Sequence, residues 1–274
     1  MTTTGPDSHA APARAFAHPP WSAPPRLASG AADDHRLDVR WARSTDDVRA
    51  AQRLRWRVFV EEMGARLWPL AGAEAGLDVD LFDAHCEHLI VSTVAAPDAP
   101  ARVVGTCRLL TPSAARRVGG LYTETEFDLV RLRALRPHLA EVGRACVHPA
   151  FRHGGVVLAL WGAVFRHVQQ HSLDGVIGCA SVSMLDGGEL AANLHEQLRP
   201  VCMAPPEWRV RPRLPLPLER LATGEPVEVP PLIRAYVKCG ARLLGDPAWD
   251  PDFGTADLPM MLRLEDLPAP YRRR

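Results

Sequence analysis

The chain has 274 residues, 47% apolar and 23% charged, and its 32 basic side chains are matched by 32 acidic ones. A net charge of zero excludes bulk nucleic-acid binding, while the apolar content supplies a core for one large domain or two small ones. No apolar run approaches the ~20 residues of a membrane span and the start lacks a basic-then-apolar signal pattern, which points to a cytoplasmic protein whose membrane contact, if any, is peripheral to the inner membrane.

Residues 1–35 are rich in Ala, Pro, Ser and Thr with little to bury, and read as a disordered leader; residues 36–274 read as one domain with a C-terminal extension. Residues 37–41 alternate as a strand does. Ser44 and Asp47 stand in capping-box spacing at the start of a helix over 46–63, with Gly64 as its stop. Residues 65–84 lack periodicity but hold Trp68, Asp78, Asp80, Phe82 and Asp83; the aromatics argue for an ordered, functional loop. Residues 88–95 and 103–110 are β-rich and joined by a turn at 97–100, an antiparallel pair. A helix over 123–136, a strand within 140–147, a helix over 155–171, a strand over 175–184 and a shorter helix over 188–198 follow. Residues 200–230 are proline-rich with a weak strand at 208–214. Pro231 suits the first turn of a helix running to 244. Its Arg234, Lys238 and Arg242 form a basic stripe, which either faces solvent or docks an acidic carrier or anionic lipid. Residues 258–264 read as a last strand, before the basic tail YRRR. The order predicts an α/β layer on a mixed sheet.

The stretch AEVGRACVHPAFRHGGVVLAL at 140–160 carries the most information. It reads as a strand, a basic glycine turn and a helix. Backbone N–H groups at such a turn, aligned with the helix dipole, bind phosphate. Glu141 and Arg144 on the strand before it point to chemistry on a phosphate-bearing donor; the alternative is a buried ion pair beside an ordinary turn. In an ideal strand the two face opposite sides, and Gly143 between them could mark a bulge that re-aims one. Asp83, His85, Cys86 and His88 fit no common zinc spacing, so no metal is expected. The six cysteines show no CxxC and mostly sit in apolar runs, as reduced core thiols do.

These residues resemble a known family. The element order is similar to the GNAT N-acyltransferase fold. That family's donor turn, [QR]-x-x-G-x-[GA], is matched by Arg152 and Gly155, while Val157 departs from it. The chain resembles more closely the hemolysin-like branch, typified by ornithine N-acyltransferases of ornithine-lipid synthesis. The match runs through LRWRVFVEEMGA (54–65), DLFDAHCEHLIV (80–91), VVGTCRLL (103–110), YTETEFDL (122–129), EVGRACVHPAFR (141–152), GCASVSMLDGG (178–188) and residues 230–262. A more distant resemblance, to acyl-homoserine-lactone synthases, rests on Arg55, Phe59, Asp80, Asp83, Arg108, Glu141 and Arg144.

The resemblance implies transfer of a (3-hydroxy)acyl chain from acyl carrier protein, through its phosphopantetheine arm and with no other cofactor, to the α-amine of L-ornithine, giving lyso-ornithine lipid. Such a reaction needs a deprotonated amine, a polarised thioester, near-attack geometry and a dry acyl site. Glu141 is then the expected base, or else a structural partner of Arg144 or Arg108. Asp80 and Asp83 would grip ammonium groups and Arg108 or Arg55 the carboxylate, unless they form a salt-bridge network that orders the loop. Arg152, Gly154 and Gly155 would hold the donor arm. Leu160, Trp161 and Phe165 read as core packing; Val176, Ile177 and residues 180–182 read by default as a packed sheet core, and would flank an acyl tunnel only where the fourth and fifth strands splay. Competing readings are an autoinducer-type or CoA-dependent N-acyltransferase on another amine, and a non-catalytic carrier- or lipid-binding protein.

Overall fold

The computed structural model describes residues 36–67, 70, 72, 74–95, 100–152 and 155–268; the expected leader, Trp68, Gly154, most of the 97–100 turn and the basic tail lie outside them. Strand β1 (Leu37–Trp41) leads into helix α1 (Thr45–Trp56), whose first turn is closed by Ser44 Oγ accepting the Asp47 N–H at 3.2 Å. A π-helical turn, Arg57–Glu62, carries the chain onward, so the helix expected over 46–63 has two windings. Strands β2 (Glu87–Thr93) and β3 (Val103–Leu110) form the expected antiparallel pair. Helix α2 (Pro112–Val118) has no counterpart among the expected elements, although its signals are legible: Thr111 caps it, Pro112 opens it and Gly119 ends it in the left-handed region.

The helix expected over 123–136 is instead α3 (Thr123–Glu126), a short strand β4 (Phe127–Asp128) and two 3-10 turns. Phe127 and Leu129, two residues apart, both point inward, and that alternation overrides helical propensity. Strand β5 (Leu139–Val147), helix α4 (Gly155–Gln170), strand β6 (Gly175–Ser183) and helix α5 (Glu189–Cys202) follow as expected. Only β7 (Arg211–Pro212) forms from the weak strand, pairing with β4, and α6 (Leu218–Leu221) is a single turn. Helix α7 (Pro231–Lys238) stops short of 244 because Gly240 turns at φ 95°, and Arg242 leaves the expected basic stripe for strand β8 (Arg242–Leu243). Strands β9 (Ala248–Asp250) and β10 (Thr255–Arg263) complete the described chain.

The main sheet runs β1-β2-β3-β5-β6-β10-β8, with β9 also on β10, and only the β5–β6 pair is parallel. On one face α4 packs Val156, Leu160 and Val164 against Leu89, Val91 and Cys107. On the other, Leu54 of α1 and Val58 of the π-helical turn meet Cys146, while Ala114 and Ala115 of α2 meet Leu110, Ile177 and Met261.

Strand β5 departs from regular geometry twice. Its ladder with β6 ends at the pair Glu141↔Ile177, although both strands are nine residues long. Just beyond, Gly178 lies so close to β5 that a Cβ there would stand 2.3 Å from the Val142 carbonyl oxygen; past this point the strands part and a cavity fills the gap. Toward β3 the register shifts, so that Arg144 and Ala145 together oppose Cys107 in a bulge, and Arg144 takes φ 50°. The bulge expected near Gly143 therefore exists, with the left-handed residue one place further on.

Gly178→Ala should lower the free energy of unfolding by about 1–3 kcal/mol, because a backbone oxygen cannot swing aside as a side chain can. Denaturant titration reads this directly, and an unchanged midpoint would show that the strands are not held so close.

Candidate active site

The cavity between β5 and β6 encloses about 370 Å³. Side chains alternate across a strand, so the two sides of the gap differ in chemistry. On the face covered by α4 and α7 the wall is apolar: Leu160, Trp161, Val164, Val176, Tyr236 and Met260, with the Trp161 and Tyr236 rings edge to face at 4.7 Å. Leu160 and Trp161 thus line the cavity besides packing the core. On the opposite face stand Tyr122, Thr123, Glu141, Arg144, Asp250 and Asp257. Glu126 is beside them, and oxygens of Glu126, Asp250 and Asp257 lie within 4.8 Å of one another. Asp250 accepts the N–H groups of Asp252 and Phe253 at 2.9 and 3.0 Å, and Asp257 accepts the Thr255 hydroxyl at 3.1 Å. No ion pair neutralises this trio among the described residues.

The bulge brings Glu141 and Arg144 to one cavity. Glu141 is fully inside, and its carboxylate accepts the Thr123 N–H at 2.6 Å, the Thr123 hydroxyl, and the Tyr122 N–H at 2.7 Å. It is therefore bonded to neither Arg144 nor Arg108, the partners the sequence suggested. Thr123, the first residue of α3, thus bonds Glu141 through both its N–H and its hydroxyl. The Arg144 guanidinium is sandwiched between the rings of Tyr122 and Phe253, at 4.8 and 4.4 Å from their centres.

Behind the cavity wall, three arginines and three aspartates alternate. Arg55 donates to Asp78 at 2.7 Å and as a fork to Asp83 at 2.9 and 2.8 Å. Arg108 forks onto Asp80 at 2.6 and 2.7 Å and reaches Asp83 at 3.0 Å. Arg144 closes the set, donating to Asp80 at 3.1 Å with its Nε 3.3 Å from Asp78. The structure brings together the four residues expected to read the acceptor (Arg55, Asp80, Asp83 and Arg108), but as this interior network; none of them lines the cavity. Asp78 is a member that sequence reasoning named only as a loop residue. At the donor turn, Arg152 lines the cavity rim, its fork on Glu62 at 2.6 and 2.8 Å, and Gly155 opens α4. Asp83, His85, Cys86 and His88 are not gathered at metal-ligand spacing.

A family profile described as an acetyltransferase (GNAT) domain matches residues 54–162. An L-ornithine N(alpha)-acyltransferase of Brucella abortus (strain 2308) is 37% identical over 253 residues, covering 86% of this chain and 87% of the relative. The protein of that name from Rhizobium meliloti (strain 1021) is 35% identical over 249 residues, covering 86% and 82%. The chain belongs to the L-ornithine N(alpha)-acyltransferase family. Among solved structures, an N-acyl amino acid synthase from uncultured soil microbes superposes with a TM-score of 0.49 at 13% identity, over 85% of this chain and 96% of that one.

The charges of this acyltransferase divide into two regimes. In the network, burial pushes Asp80 and Asp83 up, but the guanidiniums of Arg108 and Arg55 outweigh it and hold both below the usual carboxylate range. In the trio, burial prevails over weaker opposition: Asp257 is pushed up to about 6 against hydrogen bonds from Ser181 and Thr255 and the charge of Arg144, and Glu126 to about 7, with Asp250 adding its own charge to both, and Asp250 is itself raised by burial. Glu141 is raised by burial against its three donors. The cavity thiols are held protonated, Cys107 being pushed up to about 12 and Cys146 and Cys179 also raised by burial. They are poor nucleophiles, which favours direct transfer over a thioester formed on the enzyme.

Two substitutions separate the regimes. Asp83→Asn breaks a buried pair from one side and should destabilise the fold by about 3–5 kcal/mol, read as a lower melting temperature. A folded protein with altered acceptor KM alone would return Asp83 to the site. Asp257→Asn should do the opposite above neutral pH. The carboxyl binds its proton more tightly folded than unfolded, so ionising it destabilises the parent as pH rises from about 4 to about 6. The variant should match the parent near pH 4 and exceed it by about 1–3 kcal/mol above pH 7, measured by denaturant titration.

Proposed function

We propose that this acyltransferase moves a (3-hydroxy)acyl chain from acyl carrier protein to the α-amine of L-ornithine, forming lyso-ornithine lipid. The observation that carries the reading is the two-sided cavity. Its apolar side suits an acyl chain threaded between β5 and β6. Beyond the already bonded Glu141, its polar side offers one guanidinium and three carboxylates, the complement of an amino acid with one carboxylate and two amines. Arg144, aimed by the bulge and held by two rings, takes the α-carboxylate; the trio takes the side-chain ammonium and stands beside the α-amine. The relatives' shared name supports this acceptor.

The transfer is direct. The α-nitrogen, as the free amine, attacks the thioester carbonyl, a C–N bond forms, the C–S bond breaks, and the amine proton passes to a carboxylate, which returns it to the carrier thiolate as that leaves. Strand β5 past Glu141 has no ladder partner on its β6 side, so N–H groups there are placed to hold the developing oxyanion. Glu141 was expected as the proton acceptor. With its oxygens already taken by three donors, it acts instead as the staple that holds Tyr122 and Thr123 over the polar side. The proton then goes to Asp257, whose pKa of about 6 matches exchange near neutrality.

Purified protein given acyl carrier protein thioester and a panel of amines should acylate ornithine best, with N-acyl-ornithine identified by mass spectrometry. Asp257→Asn should lower kcat by about 100-fold or more, with Glu141→Gln affecting stability more than the pH profile of kcat. Preference for an amine without a second positive charge, or for acyl-CoA over the carrier thioester, would sink the assignment.

A further inference from the structure

Arg152 was expected to meet the donor's phosphate, but its guanidinium is already committed. Both Nη atoms fork onto Glu62, and Nε donates to the Val147 carbonyl at 3.1 Å. Beside it lies a cluster with the reverse problem, too many donors. His148, just past the end of β5, is about nine-tenths buried. Its Nδ1 accepts the Ala150 N–H at 3.2 Å, and on that bond the neutral ring is assigned its proton on Nε2. Burial lowers the His148 pKa, and Arg102, Arg57 and Arg152 lower it further, so the ring is neutral near pH 7. Nε2–H then points at two more donors: Arg57 Nη1 stands 3.3 Å away and Arg102 Nη2 closer still. Three donors from three separate segments (Arg57 in the π-helical turn, Arg102 just before β3 and His148 just past β5) converge without an acceptor. Among the described residues neither Arg57 nor Arg102 has a carboxylate partner. Such a convergence costs free energy when empty and is relieved by one oxyanion.

Its location says which one. None of the three lines the cavity itself, but Val58 and Val147, next in the chain to Arg57 and His148, do, as does Arg152, whose charge acts on His148; the cluster therefore lies beside the rim that Arg152 marks. We propose that Arg57, Arg102 and His148 form an oxyanion site at that rim which takes the phosphodiester of the donor's phosphopantetheine arm. This rests on reading the cavity as the seat of a carrier-borne thioester. The site is distinct from the backbone turn before α4: its donors are side chains, and Arg152 serves as the strut that fixes the rim to Glu62.

The test compares two probes that differ only in the phosphate, 4′-phosphopantetheine and pantetheine, titrated calorimetrically into the full chain. The phosphorylated probe should bind about tenfold tighter or more. Arg57→Gln/Arg102→Gln should erase that preference while leaving pantetheine affinity within about twofold. Both arginines are exposed, so the double variant should melt with the parent; if it does not fold, Arg57→Gln alone should reduce the preference. Equal binding of the two probes to the parent overturns the proposal. So does a preference that survives the double substitution. Apo-carrier protein lacking the arm is the third titrant. If its binding depends on Arg57 and Arg102 while the probes show no preference, the cations read carrier carboxylates and the phosphate assignment is wrong. Because binding needs no turnover, a phosphate preference in a protein that acylates no amine would uphold the site and overturn the proposed function instead.

Discussion

The structure depends on where the parallel ladder of β5 and β6 stops. Three paired residues hold the strands together, Gly178 lets them touch once more at Val142, and then they separate. A sheet that parts in its middle loses backbone hydrogen bonds and apolar contact, and something else must hold its two halves in place. Here that is done from outside the gap: β6 is held along its whole length by β10 and β5 by β3, each in antiparallel register. The opening is thus a property of one strand pair in an otherwise closed sheet.

The six-residue charge network gives the bulge on β5 its second support. Arg144 in the left-handed region is strained for a residue with a Cβ, and strain of this kind persists only where the surroundings over-determine it. Two aspartates and two aromatic rings fix its side chain. Those aspartates are in turn fixed by Arg55 and Arg108, from helix α1 and strand β3. Among its described residues, the loop holding Asp78, Asp80 and Asp83 has no secondary structure beyond one 3-10 turn and is ordered by charge instead.

Much of the fold was legible in the sequence, because alternation at β1 to β3 and the strand–turn–helix of β5 and α4 are local signals. The stretch 123–136 misled because its charged residues favour helix while Phe127 and Leu129 are claimed by the core. The site was legible as a set of residues and less so as a set of roles. Arg55, Asp80, Asp83 and Arg108 do meet, yet only a structure shows that they satisfy one another. Glu141 was conspicuous as an acid on a central strand, but the donors that occupy it come from Tyr122 and Thr123, distant in sequence. The trio of Glu126, Asp250 and Asp257 escaped notice because its members come from three elements with nothing in their spacing to link them. The run WDPDF around Asp250 was the one available hint: two acids between aromatics in an otherwise apolar C-terminal region.

An uncompensated group of carboxyls inside a cavity has a further meaning for the way such a site fills. With Asp257 near 6 and Glu126 near 7, the empty trio is partly protonated around neutrality. A cation that settles among these oxygens displaces those protons, so binding is an exchange of one positive charge for another rather than a simple addition. Each binding event then releases acid into the buffer, and the heat of binding depends on which buffer receives it. Affinity for the cation rises with pH until the oxygens are bare and then levels off. The same carboxyls that weaken the empty fold are what make a doubly charged guest welcome.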